Sequence, residues 1–356
     1  MKKALSLILA LVMCLALAAC GGSTSDPGES STGSSASTAD SGTTGGTTSS
    51  EPAQTSLPAA GAAYTVGICQ LVQHDALDAA TQGFRDALTE ALGDAVTFDE
   101  QNAQGDSPTC STIVGGFVAN NYDLIMANAT PALQAAVAAT TTIPILGTSV
   151  TDYATALAMD FDAANGTGVN VAGSSDGVPG QLYVDLLLEL IPDAKNVSIL
   201  YCSAEANSVV QADDFIAAMA ATAPSVNCNV YTFADSNDIQ SVVTSAIEGC
   251  DALYIPTDNQ AASNMTIVNN VCQPANVPII CGEENMCANG GLATVSISYY
   301  NIGHVCGEQA VAILRDGADV STMPIAYASD PVKEYNADYA AAIGFTMPDG
   351  FQVIGG

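Results

Sequence analysis

The chain has 356 residues and a formal net charge of −31, with only 6 Lys and Arg against 37 Asp and Glu. Such an acidic surface repels phosphate backbones, which argues against nucleic acid as a partner. A chain of this length is long for one hydrophobic core and is typical of two similar lobes.

The first segment has the pattern of an export signal. Met1-Lys2-Lys3 gives a basic start, an apolar run follows as far as Ala18, and small residues precede Cys20. We therefore predict a signal peptide over residues 1–19. Because the Cys directly follows Leu-Ala-Ala, the site resembles the bacterial lipobox, which implies that Cys20 becomes the lipidated first residue of the mature protein.

Residues 20–63 are rich in Ser, Thr and Gly and poor in large apolar side chains. This composition cannot offset the entropy of ordering a core, so we predict a flexible tether. Beyond the signal, no apolar run reaches the ~20 residues that a membrane-spanning helix needs. We therefore expect an extracytoplasmic protein that is held at the cell membrane by its lipid.

From Tyr64 onwards, short apolar strands alternate with polar breaks and Ala-rich amphipathic helices. This alternation is typical of a parallel sheet that is covered by helices. In the first half, the predicted strands are 64–70, 96–99, 124–128 and 143–147, and the predicted helices are 76–92, 107–120 and 131–140.

A Gly, Ser and Asp connector at 173–177 separates a second series of the same unit. Its predicted strands are 197–201, 229–233, 252–255, 278–281 and 293–297, and its predicted helices are 179–191, 208–221, 239–248 and 260–271. The late helix 302–315 is expected to return to the first lobe. The sequence thus predicts an α/β protein of two wound parallel-sheet lobes. Lobe 1 is predicted to comprise 64–172 plus 299–318, and lobe 2 to comprise 173–298 plus 319–356.

Polar side chains follow most of the predicted strands, at the edge of a wound sheet where ligands bind. Because equivalent strand ends of the two lobes face one another, these side chains would line one cleft. The candidates are Gln70, His74, Asn128, Thr130, Thr148, Thr151, Asn207, Asp258 and Glu283.

The sequence offers little for catalysis. Ser-His-Asp chemistry needs a His near a nucleophile, and the chain has only His74 and His304. It contains no GxSxG elbow, no P-loop and no Cys/His cluster with zinc spacing. We therefore expect no enzyme, no metal and no cofactor.

The polar strand ends suit the capture of a small zwitterion. Helix amino ends and hydroxyl groups can hold a carboxylate. A buried carboxylate, with Asp176, Asp258 and Glu283 as candidates, can hold an ammonium group. Asp258 could equally be the N-cap of the next helix, because Asp is a usual N-cap residue. The side chains available for an aromatic wall are Tyr153, Tyr183, Tyr201, Tyr299 and Tyr300.

The chain contains 11 Cys, of which Cys14 lies in the predicted signal and Cys20 carries the predicted lipid, so an odd number remains. Most of these are expected to be small buried apolar residues. One or two disulfides in the second lobe are the alternative, and the spacing does not fix their pairing.

Ordered strings of polar and small residues stand at the strand ends. They are Gln70-(x3)-His74-(x)-Ala76-Leu77-Asp78, Asn102-Ala103-Gln104-Gly105-Asp106, Ala129-Thr130-Pro131-Ala132, Thr148-Ser149-Val150-Thr151-Asp152, Glu205-Ala206-Asn207-Ser208 and Pro256-Thr257-Asp258-Asn259. Together they resemble the TrpX-like family of substrate-binding lipoproteins of ABC importers. The similarity runs from Tyr64 to the end of the chain.

The resemblance implies a type I periplasmic-binding-protein fold, a two-lobed clamp that is joined by three crossovers and delivers its ligand to an ABC permease and its ATPase. It implies an aromatic amino acid such as tryptophan or tyrosine as the ligand. It also adds Val150 and Ser175 to the site and places Asp176 at the first crossover. We expect a monomer. The alternatives are a receptor for a nucleoside, sugar or short peptide, and an extracellular enzyme.

One string departs from the family. Many relatives have Gly-Ser-Asp-Glu after the late strand, where this chain has Gly282-Glu283-Glu284-Asn285. The exchange of Ser-Asp for Glu-Glu could change the size or charge of the pocket, and with it the ligand.

Overall fold

The computed structural model describes residues 63–328 and 331–354. The predicted signal peptide, the predicted lipidation site Cys20 and the predicted tether as far as residue 62 lie outside them. In the described ranges, no helix combines the length and the apolar character that crossing a membrane requires.

The first sheet is parallel throughout. Its strands are β1 (Tyr64–Gln70), β2 (Val96–Asn102), β3 (Leu124–Asn128), β4 (Ile145–Thr148), β5 (Val171–Ser175) and β11 (Ile325–Tyr327). Their order across the sheet is β11-β5-β4-β3-β1-β2, and each neighbouring pair runs in the same direction. Strands β3, β4 and β5 are buried along their whole length, because helices cover both faces.

The second sheet is parallel except at one edge. Its strands are β6 (Asn196–Cys202), β7 (Asn227–Phe233), β8 (Ala252–Ile255), β9 (Ile279–Cys281), β10 (Ala293–Ser296), β12 (Val332–Tyr335) and β13 (Gln352–Val353). Their order is β13-β12-β10-β9-β8-β6-β7, and β12 runs antiparallel to β10.

Helices follow most of the strands. They are α1 (Asp75–Leu92), α2 (Ser107–Ala119), α3 (Thr130–Ala139), α4 (Tyr153–Leu157), α5 (Gly180–Leu190), α6 (Ala206–Thr222), α7 (Ile239–Ala246), α8 (Asn259–Ala262), α9 (Met265–Cys272), α10 (Glu284–Ala288), α11 (Tyr299–Asp316) and α12 (Ala337–Ala342). Short 3₁₀ turns lie at Gly93–Ala95, Gln273–Ala275 and Val320–Thr322.

The chain passes between the two sheets after β5, between β10 and α11, and between β11 and β12. Two predictions near these passages are wrong. Gly173, Ser174 and Ser175 complete β5 and do not belong to a connector, because small residues form this strand without the β-branched and aromatic side chains that mark strands in a sequence. Strand β11 lies beside β5 in the first sheet, whereas the sequence placed everything after residue 318 in the second lobe. Three residues are too few to show a periodic pattern.

The predicted helix 260–271 is broken into α8 and α9. The amide of Asn264 donates to the carbonyl of Gln260 at 2.8 Å, and the hydroxyl of Ser263 donates to the same carbonyl at 3.1 Å. Side chains that bond to nearby backbone groups compete with the helix, so the first turn ends there.

The cysteines of the described residues are unpaired, and all but Cys228 and Cys250 are buried or nearly so. The expectation that most of them are small buried side chains is confirmed for this part of the chain. The alternative, one or two disulfides in the second lobe, is not found among the described residues.

Helix α11 packs against α1 so closely that the two backbones nearly touch. A Cβ atom built on Gly303 would lie 1.9 Å from the carbonyl oxygen of Ala80, and one built on Gly83 would lie 2.1 Å from that of Tyr300. No side chain fits at these distances, so glycine is required at both crossing points.

We expect Gly303→Ala to lower the free energy of unfolding by about 2 kcal/mol, because the added methyl group forces the helices apart. Urea unfolding followed by circular dichroism measures the change. The matched control is Gly115→Ala in α2, where nothing lies within 4 Å of the built Cβ, and alanine there should stabilise slightly. A Gly303→Ala variant as stable as the wild type would contradict the close contact.

Candidate ligand-binding site

Two neighbouring strands of the first sheet end in unusual backbone conformations. Ala129, after β3, has a φ of 90°, and Ser149, after β4, has a φ of 54°. Residues other than glycine rarely adopt positive φ values, and such strain is often held at binding sites. The N–H of Ala129 donates to the carbonyl of Thr148 at 3.0 Å, so the two turns are tied together at one edge of the sheet.

Each of these turns carries a buried hydroxyl group without a hydrogen-bond partner in the described residues. The atoms are Oγ1 of Thr130 and Oγ of Ser149. A buried polar group left unpaired costs about 1–3 kcal/mol, so both hydroxyls are free to donate to a ligand. Thr130 also begins α3, whose first N–H groups lack acceptors within the helix and favour an anion. This edge is therefore suited to a carboxylate.

Other residues predicted for this edge are engaged within the lobe. The Oγ1 atom of Thr148 lies 3.0 Å from Oγ of Ser174, and the hydroxyl of Ser175 donates to the carbonyl of Thr151 at 3.1 Å. Val150 is fully buried. These residues shape the turns. Ser149 belongs to the string Thr148-Ser149-Val150-Thr151-Asp152 but was not chosen as a site residue, since no sequence pattern distinguishes a free hydroxyl from a bonded one.

Asp176 is a buried carboxylate that is held by hydroxyl groups. The hydroxyl of Tyr299 donates to Oδ2 at 2.9 Å, and that of Thr151 donates to Oδ1 at 3.0 Å. Burial raises the pKa of Asp176, and the two hydroxyl donors partly oppose the rise. Each oxygen keeps a lone pair, so a cation placed here would favour the charged form. Asp176 follows β5 and Tyr299 begins α11, so this pair lies beside two of the passages between the sheets.

The other two predicted anchors are helix caps. Asp258 Oδ1 accepts the N–H of Ala261 at 2.8 Å, and Oδ2 accepts the N–H of Cys202 at 2.7 Å. Glu283 accepts the backbone N–H groups of the first turn of α10 on both oxygens. Both carboxylates are thus engaged within the second lobe, which favours the cap role for Asp258 that the sequence left open.

Glu205 is a further buried carboxylate, which the sequence did not select as a site residue. It accepts the backbone N–H groups of Asn259 at 3.1 Å and of Gln260 at 2.9 Å, and also the side-chain amide of Asn259. Burial raises the pKa of Glu205 to about 8, with Asp258 as a second cause. The sequence signal that could have identified Glu205 was its place in the string Glu205-Ala206-Asn207-Ser208.

The predicted amide residues divide into one that is satisfied and two that are not. The amide of Gln70 donates to Asp78 at 2.6 Å and its oxygen accepts from Thr81 at 2.7 Å, so Gln70 braces α1 against the sheet. Asn128 in the first lobe and Asn207 in the second each have a buried Oδ1 atom without a partner among the described residues. These two oxygens are available to donors of a ligand.

His74 is half-buried before α1 and contacts the second lobe. Its Nε2 atom lies 3.2 Å from Oδ1 of Asn259, and its Nδ1 atom has no partner in the described ranges. Burial lowers the pKa of His74, so the neutral ring is favoured.

Most of the tyrosines proposed for an aromatic wall pack elsewhere. The hydroxyl of Tyr153 donates to the carbonyl of Gly147 at 2.8 Å, and that of Tyr183 donates to the carbonyl of Gly282 at 2.7 Å. Tyr300 is exposed at the surface. Of the five, Tyr299 is the one that joins a site carboxylate.

A cavity of about 200 Å³ opens between the lobes at the rim of the cleft. Its walls include Gln104, Gly105 and Pro131 from the first lobe, and Glu205 and Gln260 from the second. None of the residues predicted for ligand binding lines it, although several are neighbours of its wall residues in sequence.

The stability of the protein should fall as the pH rises from about 4.5 to about 8. Burial raises the pKa of Glu283 from its ordinary value of 4.5 to about 8. Between these values the folded state holds a proton that the unfolded state has lost, so the free energy of unfolding decreases with pH. The contribution is fully present below about pH 4.5 and disappears through pH 8.

Melting temperatures at pH 5 and pH 8.5, measured for the wild type and for Glu283→Gln, check this expectation. The variant should lose less stability over this interval than the wild type. Identical slopes in the two proteins would show that Glu283 does not titrate in it.

The two wound lobes, the three passages between them and the polar carboxyl ends of their strands define a type I periplasmic-binding-protein fold, the architecture of two-lobed solute receptors. The chain belongs to the ABC transporter substrate binding protein family, whose sequence profile matches residues 65–354. Receptors of this family work outside the cytoplasm.

Similar proteins of known character support this assignment. A tyrosine-binding protein of Clostridioides difficile is 37% identical over 266 residues, which are 73% of this chain and 75% of that protein. An ABC domain from Streptococcus pneumoniae, solved in complex with L-Trp, is 32% identical and superposes with a TM-score of 0.77 over 82% of this chain and all of that one. A substrate-binding protein with adhesive properties from Clostridium difficile, solved ligand-free and open, is 35% identical with a TM-score of 0.62 over 82% of this chain and 99% of that one.

Proposed function

We propose that the protein captures an aromatic amino acid between its lobes and delivers it unchanged to an ABC permease and its ATPase. The observation that carries this proposal is the pairing of free buried hydroxyls on Thr130 and Ser149 with the carboxylate of Asp176. The hydroxyls suit the carboxylate of a zwitterion, and Asp176 suits its ammonium group. Thr151 links the two halves, because it lies two residues after Ser149 and donates to Asp176.

The relatives support an aromatic side chain on the ligand. One binds tyrosine by name and another was solved with L-Trp. At similar sequence identity, the described lobes superpose better on the L-Trp complex than on the ligand-free open structure, with TM-scores of 0.77 and 0.62. The arrangement of the lobes in this chain therefore supports a closed receptor, the state in which such proteins retain their ligand.

Purified protein, first unfolded and refolded to remove any retained ligand, tests the proposal in a thermal-shift screen. We expect L-tyrosine, L-tryptophan or L-phenylalanine to raise the melting temperature, since a ligand at 100 times its Kd adds about 2.7 kcal/mol of stability. Nucleosides, sugars and dipeptides should have no effect. If one of these classes raised the melting temperature and the amino acids did not, the proposed ligand would be wrong and that class would take its place.

Mass spectrometry of the compound that copurifies distinguishes a receptor from an enzyme. A receptor releases its bound amino acid intact, whereas an enzyme would release a product. An altered compound that forms in proportion to added protein would overturn the receptor role.

We further propose that the mature protein is attached to the membrane through a lipid on Cys20, on the strength of the Leu-Ala-Ala-Cys string. Cells that express Cys20→Ser should release the protein from the membrane fraction, while the wild type should stay there. Equal membrane retention of the two proteins would contradict the lipid anchor.

A further inference from the structure

The two lobes contact each other directly at the end of the cleft that lies away from the passages between them. In the first sheet the passages leave from β5 and β11 at one end, whereas β1 and β2 lie at the other. In the second sheet β10 and β12 lie next to the passages, and β8 lies further away. Residues that follow β1, β2 and β8 form the contact, and Asp176 and Tyr299 lie at the opposite end.

Gln260 makes one of these contacts. Its Nε2 atom donates to the carbonyl of Gly105 at 3.0 Å. Gly105 has a φ of +82°, and a Cβ atom built on it would lie 2.4 Å from Nε2 of Gln260. Glycine at this turn thus lets the second lobe approach the backbone of the first. This turn belongs to the string Asn102-Ala103-Gln104-Gly105-Asp106, and no residue of that string is part of the proposed ligand site.

Asn259 makes the second contact, and Glu205 fixes its orientation. The amide nitrogen of Asn259 donates to Oε2 of Glu205, so Oδ1 is the atom that faces His74. An amide oxygen is an acceptor, and the Nε2 atom of His74 must therefore carry the proton. A third contact joins the amide of Asn289 to Asp75 at 3.3 Å.

We propose that Gln260 and Asn259 form a latch that holds the two lobes closed and sets the affinity of the receptor without touching the ligand. The latch is Gln260 on Gly105 together with Asn259 on His74. Both donor–acceptor pairs exist only when the lobes meet, so they stabilise the closed form and slow the release of whatever lies between the lobes. Glu205 acts as a positioning residue, because its carboxylate holds the backbone of both latch residues.

A latch makes a prediction that a ligand contact does not. Because it acts on the closing of the lobes, its loss should weaken every ligand by the same factor. Gln260→Ala removes one neutral hydrogen bond and should raise the Kd by about fivefold. Gln260→Glu has nearly the same shape but replaces the donor with an acceptor that faces the carbonyl of Gly105, so its loss should be larger, about tenfold or more.

Calorimetric titration of L-tyrosine and L-tryptophan into the wild type, Gln260→Ala and Gln260→Glu measures these factors. Gln240→Ala is the matched control, because Gln240 is an exposed glutamine of α7 in the same lobe. We expect equal losses for the two amino acids, a stronger loss in Gln260→Glu, and no change in the control. Unchanged affinities in both Gln260 variants, or losses that differ between the amino acids by more than about threefold, would overturn the latch.

The latch proposal depends on the proposed function only in the choice of the ligands that test it. If the wild type binds neither amino acid, the proposed ligand is wrong. The latch can then still be tested without a ligand, by measuring the radius of gyration of the ligand-free proteins with small-angle X-ray scattering. Gln260→Glu should then have a larger radius of gyration than the wild type, because its lobes separate more often. Equal radii would overturn the latch.

Discussion

Replacing Asp176 with Asn is expected to weaken the binding of L-tyrosine or L-tryptophan by about 100-fold or more. The ammonium group of the ligand would then be buried without a charged partner, and leaving one member of a buried charge pair alone costs about 2–5 kcal/mol. The Asn side chain can keep both contacts, because its oxygen accepts from one hydroxyl and its NH2 group donates to the oxygen of the other, so the fold around residue 176 should be kept. Calorimetric titration gives the affinity, and a melting curve verifies that the variant is folded.

A matched control for this experiment is Asp193→Asn, which removes the same charge from an exposed position of the second lobe. It should leave the affinity unchanged. If an amino acid binds Asp176→Asn as tightly as it binds the wild type, Asp176 is not part of the site. The hydroxyls of Thr130 and Ser149, which are proposed to bind the ligand carboxylate, would then lack a partner group for the ammonium.

Asp258→Ala is expected to act on stability and much less on affinity. The substitution leaves the N–H groups of Ala261 and Cys202 buried without acceptors. Each such group costs about 1–3 kcal/mol, so the free energy of unfolding should fall by about 4 kcal/mol. Urea unfolding measures this loss. The protein that remains folded should bind its amino acid within about threefold of the wild type, since both oxygens of Asp258 are engaged within the second lobe.

The control for the cap is Asp238→Ala. Asp238 is also the N-cap residue of a helix in the second lobe, but its side chain makes no capping hydrogen bond. We expect it to change the free energy of unfolding by less than about 0.5 kcal/mol. If Asp258→Ala were as stable as this control yet failed to bind, Asp258 would be the ligand anchor after all, and the cap interpretation would be wrong.

The periodic pattern was enough to predict the wound lobes, because strands buried on both faces and Ala-rich helices leave strong signals. Strands β1, β3 and β8 were found at their observed bounds, and β4, β6, β7, β9 and β10 within one or two residues. The exceptions are β2, which was predicted without its polar last three residues, and the strands that were not predicted, which are short or built from small residues. Strand β5 ends in Gly173-Ser174-Ser175, and β11 has three residues, so tertiary packing and not local preference makes them strands.

The site was harder to predict, because a sequence shows which residues are polar but not which hydrogen bonds they make. Asp258 and Glu283 looked like anchors and are helix caps, whereas Asp176, with the same chemistry, receives only hydroxyl donors from other side chains. The hydroxyl of Ser149 has no hydrogen-bond partner among the described residues, and its backbone has a positive φ; the residue type reveals neither. The pairing of Gln260 with Gly105 joins residues 155 positions apart, and no local pattern marks such a pair.

The packing of α11 on α1 has a consequence for the order in which the chain folds. The apolar core beneath them combines Val66 and Phe84 from the start of the chain with Cys306 and Leu314 from near its end. During synthesis the first lobe therefore exposes part of this core until α11 has left the ribosome. Contacts between such distant segments slow folding. The lobe that begins first is thus completed only after most of the second lobe has been made, and in the interval its uncovered apolar face is a surface on which chaperones can act.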